Sequence, residues 1–130
     1  MILFDTSVLI AYDQLDIPAG DYVSSAVVLG ELHFGVATAK SISMHSQRQA
    51  RLARIRRTGI QWLPYTESTA TFHAELMTAI HPHAPGKARA RDIMIAATAY
   101  ELGASLATLN PVDFRHIDAL VEIVVPPRVA

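Results

Sequence analysis

The 130-residue sequence predicts an α/β fold, a central parallel sheet of about five strands flanked by helices in three layers. Three observations lead there. Short apolar, β-branched segments alternate with longer helical ones along the whole chain, which is the pattern of parallel strands joined by crossover helices. The strand-like segments run into turn or cap chemistry, as at Asp5-Thr6-Ser7, Asn110-Pro111 and Pro126-Pro127. The run after Asp92 (Ile93, Met94, Ile95, Ala96, Ala97) is too apolar for a surface helix, so that helix must be covered on more than one side.

Taken in order, Met1 to Phe4 reads as a short buried strand, and Thr6 or Ser7 is placed to cap a helix through Val8 to Tyr12. Asp13 to Asp21, with Pro18 and Gly20, is a loop. Tyr22 to Ser24 is a second strand, and Ser25 caps a second helix. On that helix Glu31 lies one turn from Val27 and Val28 and one turn from Phe34 and Gly35, so its face is otherwise apolar. Either this carboxylate points toward the core side, where an unpaired charge is costly, or it snorkels to water from the edge of the stripe.

Ser41 to Gly59 contains a basic helix. Arg48, Arg51, Arg54, Arg56 and Arg57 are five of the eleven Lys and Arg residues, and they alternate with Leu52 and Ile55. Singly they describe a solvated face, and together a candidate phosphate contact. Ile60 to Leu63 is a third strand. Thr66 starts a helix whose residues Phe72, Leu76, Met77 and Ile80 are spaced for one buried face. His81-Pro82-His83 reads as a solvated loop rather than a metal site, and His33 and His73 as surface or satisfied histidines. Lys87, Arg89 and Arg91 then precede Asp92. Gly103 stands where a left-handed helix cap belongs, Ser105 to Thr108 is a fourth strand, and Leu120 to Val125 is a fifth.

Composition sets the bounds. The length fits one domain spanning residues 1–130, and 51% hydrophobic residues argue against disorder. No apolar run approaches the roughly 20 residues that span a bilayer, and Met1 to Phe4 has no basic residues before it as a signal peptide would. The absence of cysteine excludes disulfides and thiolate metal sites and fits a cytoplasmic protein. A net charge of −1 makes the chain no general polyanion binder, so any nucleic-acid contact must be local.

Ligands of parallel sheets bind beyond the carboxyl ends of the strands. Asp5 follows the first strand and Asp113 the fourth, while Glu31 and Asp92 lie in early helical turns at the same end if the crossovers are right-handed. Taken singly, Asp92 reads as charge complementing a helix N-terminus and Asp113 as a turn residue. Taken together, the four acids share one rim. Two such charges about 4 Å apart repel by about 4 kcal/mol at an effective dielectric of about 20, so the cluster calls for a proton or a hard cation. All-oxygen donors point to Mg²⁺ or Mn²⁺.

Four pieces of the chain carry a family resemblance: Asp5-Thr6-Ser7; Ser25 to Gly35, SAVVLGELHFG; Arg91-Asp92 with IMIAATA; and Ala107 to Phe114, ATLNPVDF. In this order and over nearly the whole length the sequence resembles a PIN-domain nuclease, specifically a VapC-type toxin of a toxin–antitoxin pair. The resemblance implies a PIN-like fold and an acidic metal pocket that cuts single-stranded RNA, with Asp5, Glu31, Asp92 and Asp113 as its acids. Ser7, Thr108 and Asn110 match polar positions that support such a pocket. It further implies a VapB-type antitoxin whose tail lies in a hydrophobic groove, and a homodimer. Val27, Val28, Leu29, Phe34, Leu52 and Ile55 are candidate anchors for that tail. Residues 40–83 match no family motif.

The expected activity is a Mg²⁺-dependent endoribonuclease with a water nucleophile. Asp5, Glu31 and Asp92 would hold the metal and Asp113 a water or second ion, and Lys87, Arg89 and Arg91 would track the RNA. Two other classes stay open: a non-catalytic binding module, and an aspartyl phosphotransferase using Asp5 as nucleophile. The second lacks another aspartate two residues on.

Overall fold

The computed structural model describes residues 1–83 and 89–130, so the expectation for Lys87 falls outside the described residues. Five strands form one wholly parallel sheet in the order β3-β2-β1-β4-β5. They are β1 (Ile2–Phe4), β2 (Tyr22–Ser25), β3 (Gln61–Leu63), β4 (Ser105–Ala107) and β5 (Ile123–Val124). The helices are α1 (Thr6–Ile10), α2 (Ala26–Ala37), α3 (Ile42–Arg57), α4 (Glu67–Ile80) and α5 (Ala90–Leu102).

The order of the strands locates the site. From β1 the chain steps outward to β2 and β3, then returns to lay β4 on the other side of β1 and β5 beyond it. The direction of winding therefore reverses between β1 and β4, which opens a crevice at their carboxyl ends. Phe4 pairs with Ala107, and the Asp5 N–H donates to the Ala107 carbonyl at 2.9 Å, so the residues leaving both strands are neighbours.

Local chemistry starts and stops the helices. Ser25 Oγ accepts the Val27 N–H, Ser41 Oγ accepts the Met44 N–H, and Thr66 with Thr69 forms a reciprocal capping box on α4. At the first helix the expected caps are replaced. Asp5 is the N-cap of α1, its carboxylate accepting the Thr6 N–H, which frees the Thr6 and Ser7 hydroxyls for the site. Gly103, at φ 69°, ends α5. The Ala104 N–H reaches the Ala99 carbonyl and the Gly103 N–H the Tyr100 carbonyl, a double closure that a left-handed residue permits.

The core centres on Leu3, Phe4, Val8, Leu9, Ile95, Leu106 and Phe114, each essentially inaccessible. Burying such side chains stabilises the fold by roughly 1.5–3 kcal/mol each. Ile93 and Ile95 through Ala99 of α5 are all buried, as its composition predicts, and Phe72 of α4 meets Tyr100 of α5 edge-on at 5.3 Å.

Two expectations about packing are corrected. Met77 is 48% exposed, and the buried face of α4 runs through Thr69, Leu76 and Ile80 instead. Thr69 is admitted because its hydroxyl donates to Glu101 of α5 at 2.8 Å; together with Ser68 it holds the Glu101 carboxyl below its usual range. The fifth strand is shorter than expected because Leu120 lies in an exposed turn, leaving only Ile123 and Val124 paired to β4.

Candidate active site

Asp5 is the most firmly held acid. Its Oδ1 accepts the Thr6 N–H at 2.8 Å, and its Oδ2 accepts the Thr108 hydroxyl at 2.8 Å and the Ser7 hydroxyl at 3.3 Å. Each hydroxyl is oriented in turn: the Leu109 N–H donates to Ser7 Oγ and the Asn110 N–H to Thr108 Oγ1, both at 3.0 Å. A hydroxyl that accepts from the backbone directs its one proton to the carboxylate, so both oxygens of Asp5 are fixed in place. Ser7 and Thr108 thus both hold the Asp5 carboxylate. Asn110 takes part through its backbone only, with its residue exposed.

Glu31, in the second turn of α2, accepts the Thr6 hydroxyl on Oε1 at 3.0 Å, and its Oε2 lies 3.7 Å from Arg91 Nη1. Of the two placements open for Glu31, the edge of the apolar stripe is the one found. Val28 is buried, but Phe34 one turn on is 63% exposed, so the carboxylate sits at the border of the core with two polar partners. Thr6, read from the sequence as a cap, is the link between Glu31 and the first strand. Its only signal in the sequence is its place beside Asp5.

Asp92 lies in the first turn of α5 and Asp113 in a short 3-10 helix after β4. The Asp92 carboxyl is pushed up to about 6, first by burial and then by the charges of Asp5, Asp113 and Glu31, against a smaller opposing effect of Arg89. The direction and its causes place Asp92 in a partly desolvated position within electrostatic reach of Asp5, Asp113 and Glu31. Arg89 Nη1 donates to the Val112 carbonyl at 3.2 Å and stands 3.9 Å from Asp113, tying the start of α5 to the turn after β4. Among the described residues no three His, Asp or Glu side chains yet stand at metal-ligand spacing, and Arg89 and Arg91 act as the nearest counter-charges.

The remaining basic and imidazole groups are dispersed. Arg48 donates to the Gly35 carbonyl at 2.7 Å, Arg54 pairs with Asp13 at 3.2 Å, and Arg56 stands 3.5 Å from His33. His73 is bonded to the Tyr65 hydroxyl at 2.6 Å, and His83 stacks on His116 with ring centroids 3.5 Å apart. Of the six candidate tail anchors, Val28, Leu52 and Ile55 are buried within the chain's own core, Val27 and Leu29 are half-buried, and Phe34 is exposed.

The sequence profile of the PIN domain matches residues 2–120. The chain belongs to the PIN-domain family. Among solved structures this PIN domain is similar to VapBC-5 of Mycobacterium tuberculosis, a member of the VapBC family of toxin-antitoxin systems. The identity is 29%, covering 98% of this chain and 97% of that one with a TM-score of 0.80. FitAcB of Neisseria gonorrhoeae matches at 26% identity over 95% of this chain and 96% of that one, with a TM-score of 0.74. At 22% identity, VapBC2 of Rickettsia felis, bound to a DNA fragment from their promoter, shares the fold over 96% of this chain and 98% of that one, with a TM-score of 0.74. The likeness to VapBC-5 supports the resemblance to VapC-type toxins. No curated protein sequence gives a significant match. Among the described residues of this PIN domain, no helix is long and apolar enough to cross a membrane.

Proposed function

We propose that this PIN domain is a metal-dependent endoribonuclease that cleaves single-stranded RNA and serves as the toxin of a VapBC-type pair. The observation that supports the reading best is Thr6, which donates its N–H to Asp5 and its hydroxyl to Glu31 at the carboxyl end of β1, with Asp92 within electrostatic reach of both acids and of Asp113. The donor set fits a hard divalent cation, since the candidate ligands are all carboxylate oxygens and the four acids outnumber their two counter-charges, Arg89 and Arg91. Asp5, Glu31 and Asp92 would hold Mg²⁺ or Mn²⁺, with Asp113 orienting a water or a second ion. A bound cation would supply water activation and charge compensation on the phosphodiester in its transition state.

The chain's own groups divide the rest of the work. Ser7 and Thr108 fix Asp5, Thr6 fixes Glu31, and Arg89 ties the start of α5 to the turn that carries Asp113. Arg91, 64% exposed at the edge of the pocket and only 3.7 Å from Glu31, would be the group to meet an RNA phosphate there. The aspartyl phosphotransferase reading is disfavoured because Asp5 is buried and Ser7, not a second aspartate, stands two residues on.

Purified protein incubated with labelled single-stranded RNA, with Mg²⁺ or with EDTA, tests the proposal. Cleavage that needs the cation and vanishes in Asp92→Asn is expected. Mg²⁺ and Mn²⁺ should also raise the melting temperature, by selective binding to the folded state. Cleavage that persists in EDTA, or a melt indifferent to both cations, would sink the metal-pocket reading.

A further inference from the structure

Two imidazoles lie face to face on the Asp113 side of the acids. His83 ends the 3-10 turn that follows α4, and His116 stands three residues after Asp113. Their ring centroids are 3.5 Å apart, their planes are 6° from parallel, and both residues are exposed. His116 is also the one non-glycine residue with positive φ among the described residues, at 74°. A residue with a Cβ adopts this region at a cost and stays there when its surroundings over-determine it, most often at sites that bind or react. Here Phe114 and Ile117 are both buried, and the Ile117 N–H donates to the Phe114 carbonyl at 3.4 Å. The chain is pinned on either side of His116, and the ring is left outside against His83.

The pair offers a ring surface rather than a metal site. Parallel imidazoles 3.5 Å apart carry their nitrogen lone pairs in separate planes, so they cannot both point at one ion about 2.1 Å away. Desolvation, then the charges of His83 and Arg115, hold the His116 imidazole below its usual ionisation; Asp118 opposes this and Arg89 adds to it. Neutral aromatic faces with arginines beside them are what unpaired bases of a single strand stack on. Arg89 joins this turn to the pocket, since it bonds the Val112 carbonyl, stands 3.9 Å from Asp113 and acts on the charge of His116. Arg91 stands instead beside Glu31.

We infer that the His83–His116 pair is a stacking platform for one unpaired base of the RNA substrate, on the Asp113 side of the acids, while Arg91 meets the strand beside Glu31. The inference rests on the ribonuclease reading for its ligand and deepens it by naming where a base is held. Stacking accepts any base and favours the larger rings, so the platform prefers a purine to a pyrimidine.

The test compares hexaadenylate, hexauridylate and an abasic ribose-phosphate hexamer, titrated into the whole chain in EDTA at low salt and read by fluorescence anisotropy. The wild type is expected to bind them in that order of decreasing affinity. His116→Asn removes the ring at a residue type that tolerates positive φ. It should weaken hexaadenylate by about tenfold and leave the abasic hexamer unchanged. His83→Phe should keep the preference for adenylate, and His83→Ala should reduce it. A His116→Asn variant that loses affinity for all three alike overturns the inference, because the pair would then only fasten the end of α4 to this turn. Wild-type protein that binds the abasic hexamer as tightly as hexaadenylate, or binds no hexamer, overturns it as well. Cleavage in Mg²⁺ reads the acids and binding in EDTA reads the rings, so each proposal can fail alone.

Discussion

Thr108 Oγ1 donates to Asp5 Oδ2 at 2.8 Å, joining residues 103 positions apart at the carboxyl ends of two neighbouring strands. Thr108 is fully buried and also accepts the Asn110 N–H. Thr108→Val keeps the shape but strands both partners, so it should destabilise the protein by about 1–3 kcal/mol. It should also lower RNA cleavage by about 10–100-fold by freeing the Asp5 carboxylate. Thr108→Ser should retain most of both. Melting and cleavage measured on the two variants check this; a Val variant as active as wild type would remove Thr108 from the site.

The raised carboxyl of Asp92 makes a statement about stability against pH. The folded state holds the Asp92 proton up to about 6, against 3.8 for the ordinary group. Between these values the native protein binds more protons than the unfolded chain, so this contribution stabilises at low pH and is lost as pH rises through about 6. In EDTA, Asp92→Asn should therefore match wild type near pH 4 and exceed it above pH 7 by about 1–2 kcal/mol, once solvent screening is allowed for. Melts over that pH range decide it; a variant less stable than wild type at neutral pH contradicts the crowded pocket.

Glu31→Gln should behave differently from Asp92→Asn. The charge removed from Glu31 relieves repulsion, but the amide loses the attraction of Arg91 and can present only one oxygen to Thr6. Metal-free stability should stay within about 0.5 kcal/mol of wild type, while cleavage and Mg²⁺-dependent stabilisation fall. A gain equal to that of Asp92→Asn would show that Arg91 does not hold this carboxylate.

Arg91 separates RNA binding from scaffold effects, because Arg89 also braces Val112 and Asp113. Arg91→Gln should weaken binding of single-stranded RNA and flatten its salt dependence by about 0.7 in the logarithmic slope, the expectation for one lost phosphate contact. Filter binding at several salt concentrations measures both. An unchanged slope would move the RNA path to another surface.

Gly103→Ala should cost about 1 kcal/mol, since a Cβ is strained at φ 69°, and leave the pocket untouched. Equal stability of the two proteins would contradict the left-handed closure of α5.

Much of this architecture was legible because it depends on near neighbours in the chain. Ser25, Ser41 and Thr66 cap helices, Gly103 ends one, and Asp5 and Asp113 follow strands, all through contacts of a few residues. Apolar composition alone showed that α5 is enclosed. The shift of the α1 cap from Thr6 or Ser7 to Asp5 could not be read locally, because each of these three residues can cap a helix. The choice is made by Thr108, which reaches Asp5 from another strand.

By itself the sequence determined the alternation of strands and helices, and hence a parallel sheet whose loop ends carry the acids, because periodicity and capping act within about one helical turn. Only the tertiary structure decided that β4 returns beside β1, bringing Thr108 to Asp5, and that β2 lies on the other side of β1, bringing Glu31 to Thr6. It likewise decided that Arg91 faces Glu31, that Met77 yields its buried place to Thr69, and that Arg51 is left beside an apolar cavity. Those outcomes turn on strand order and on which helices meet, and the energies that select them come from contacts between residues far apart in the chain.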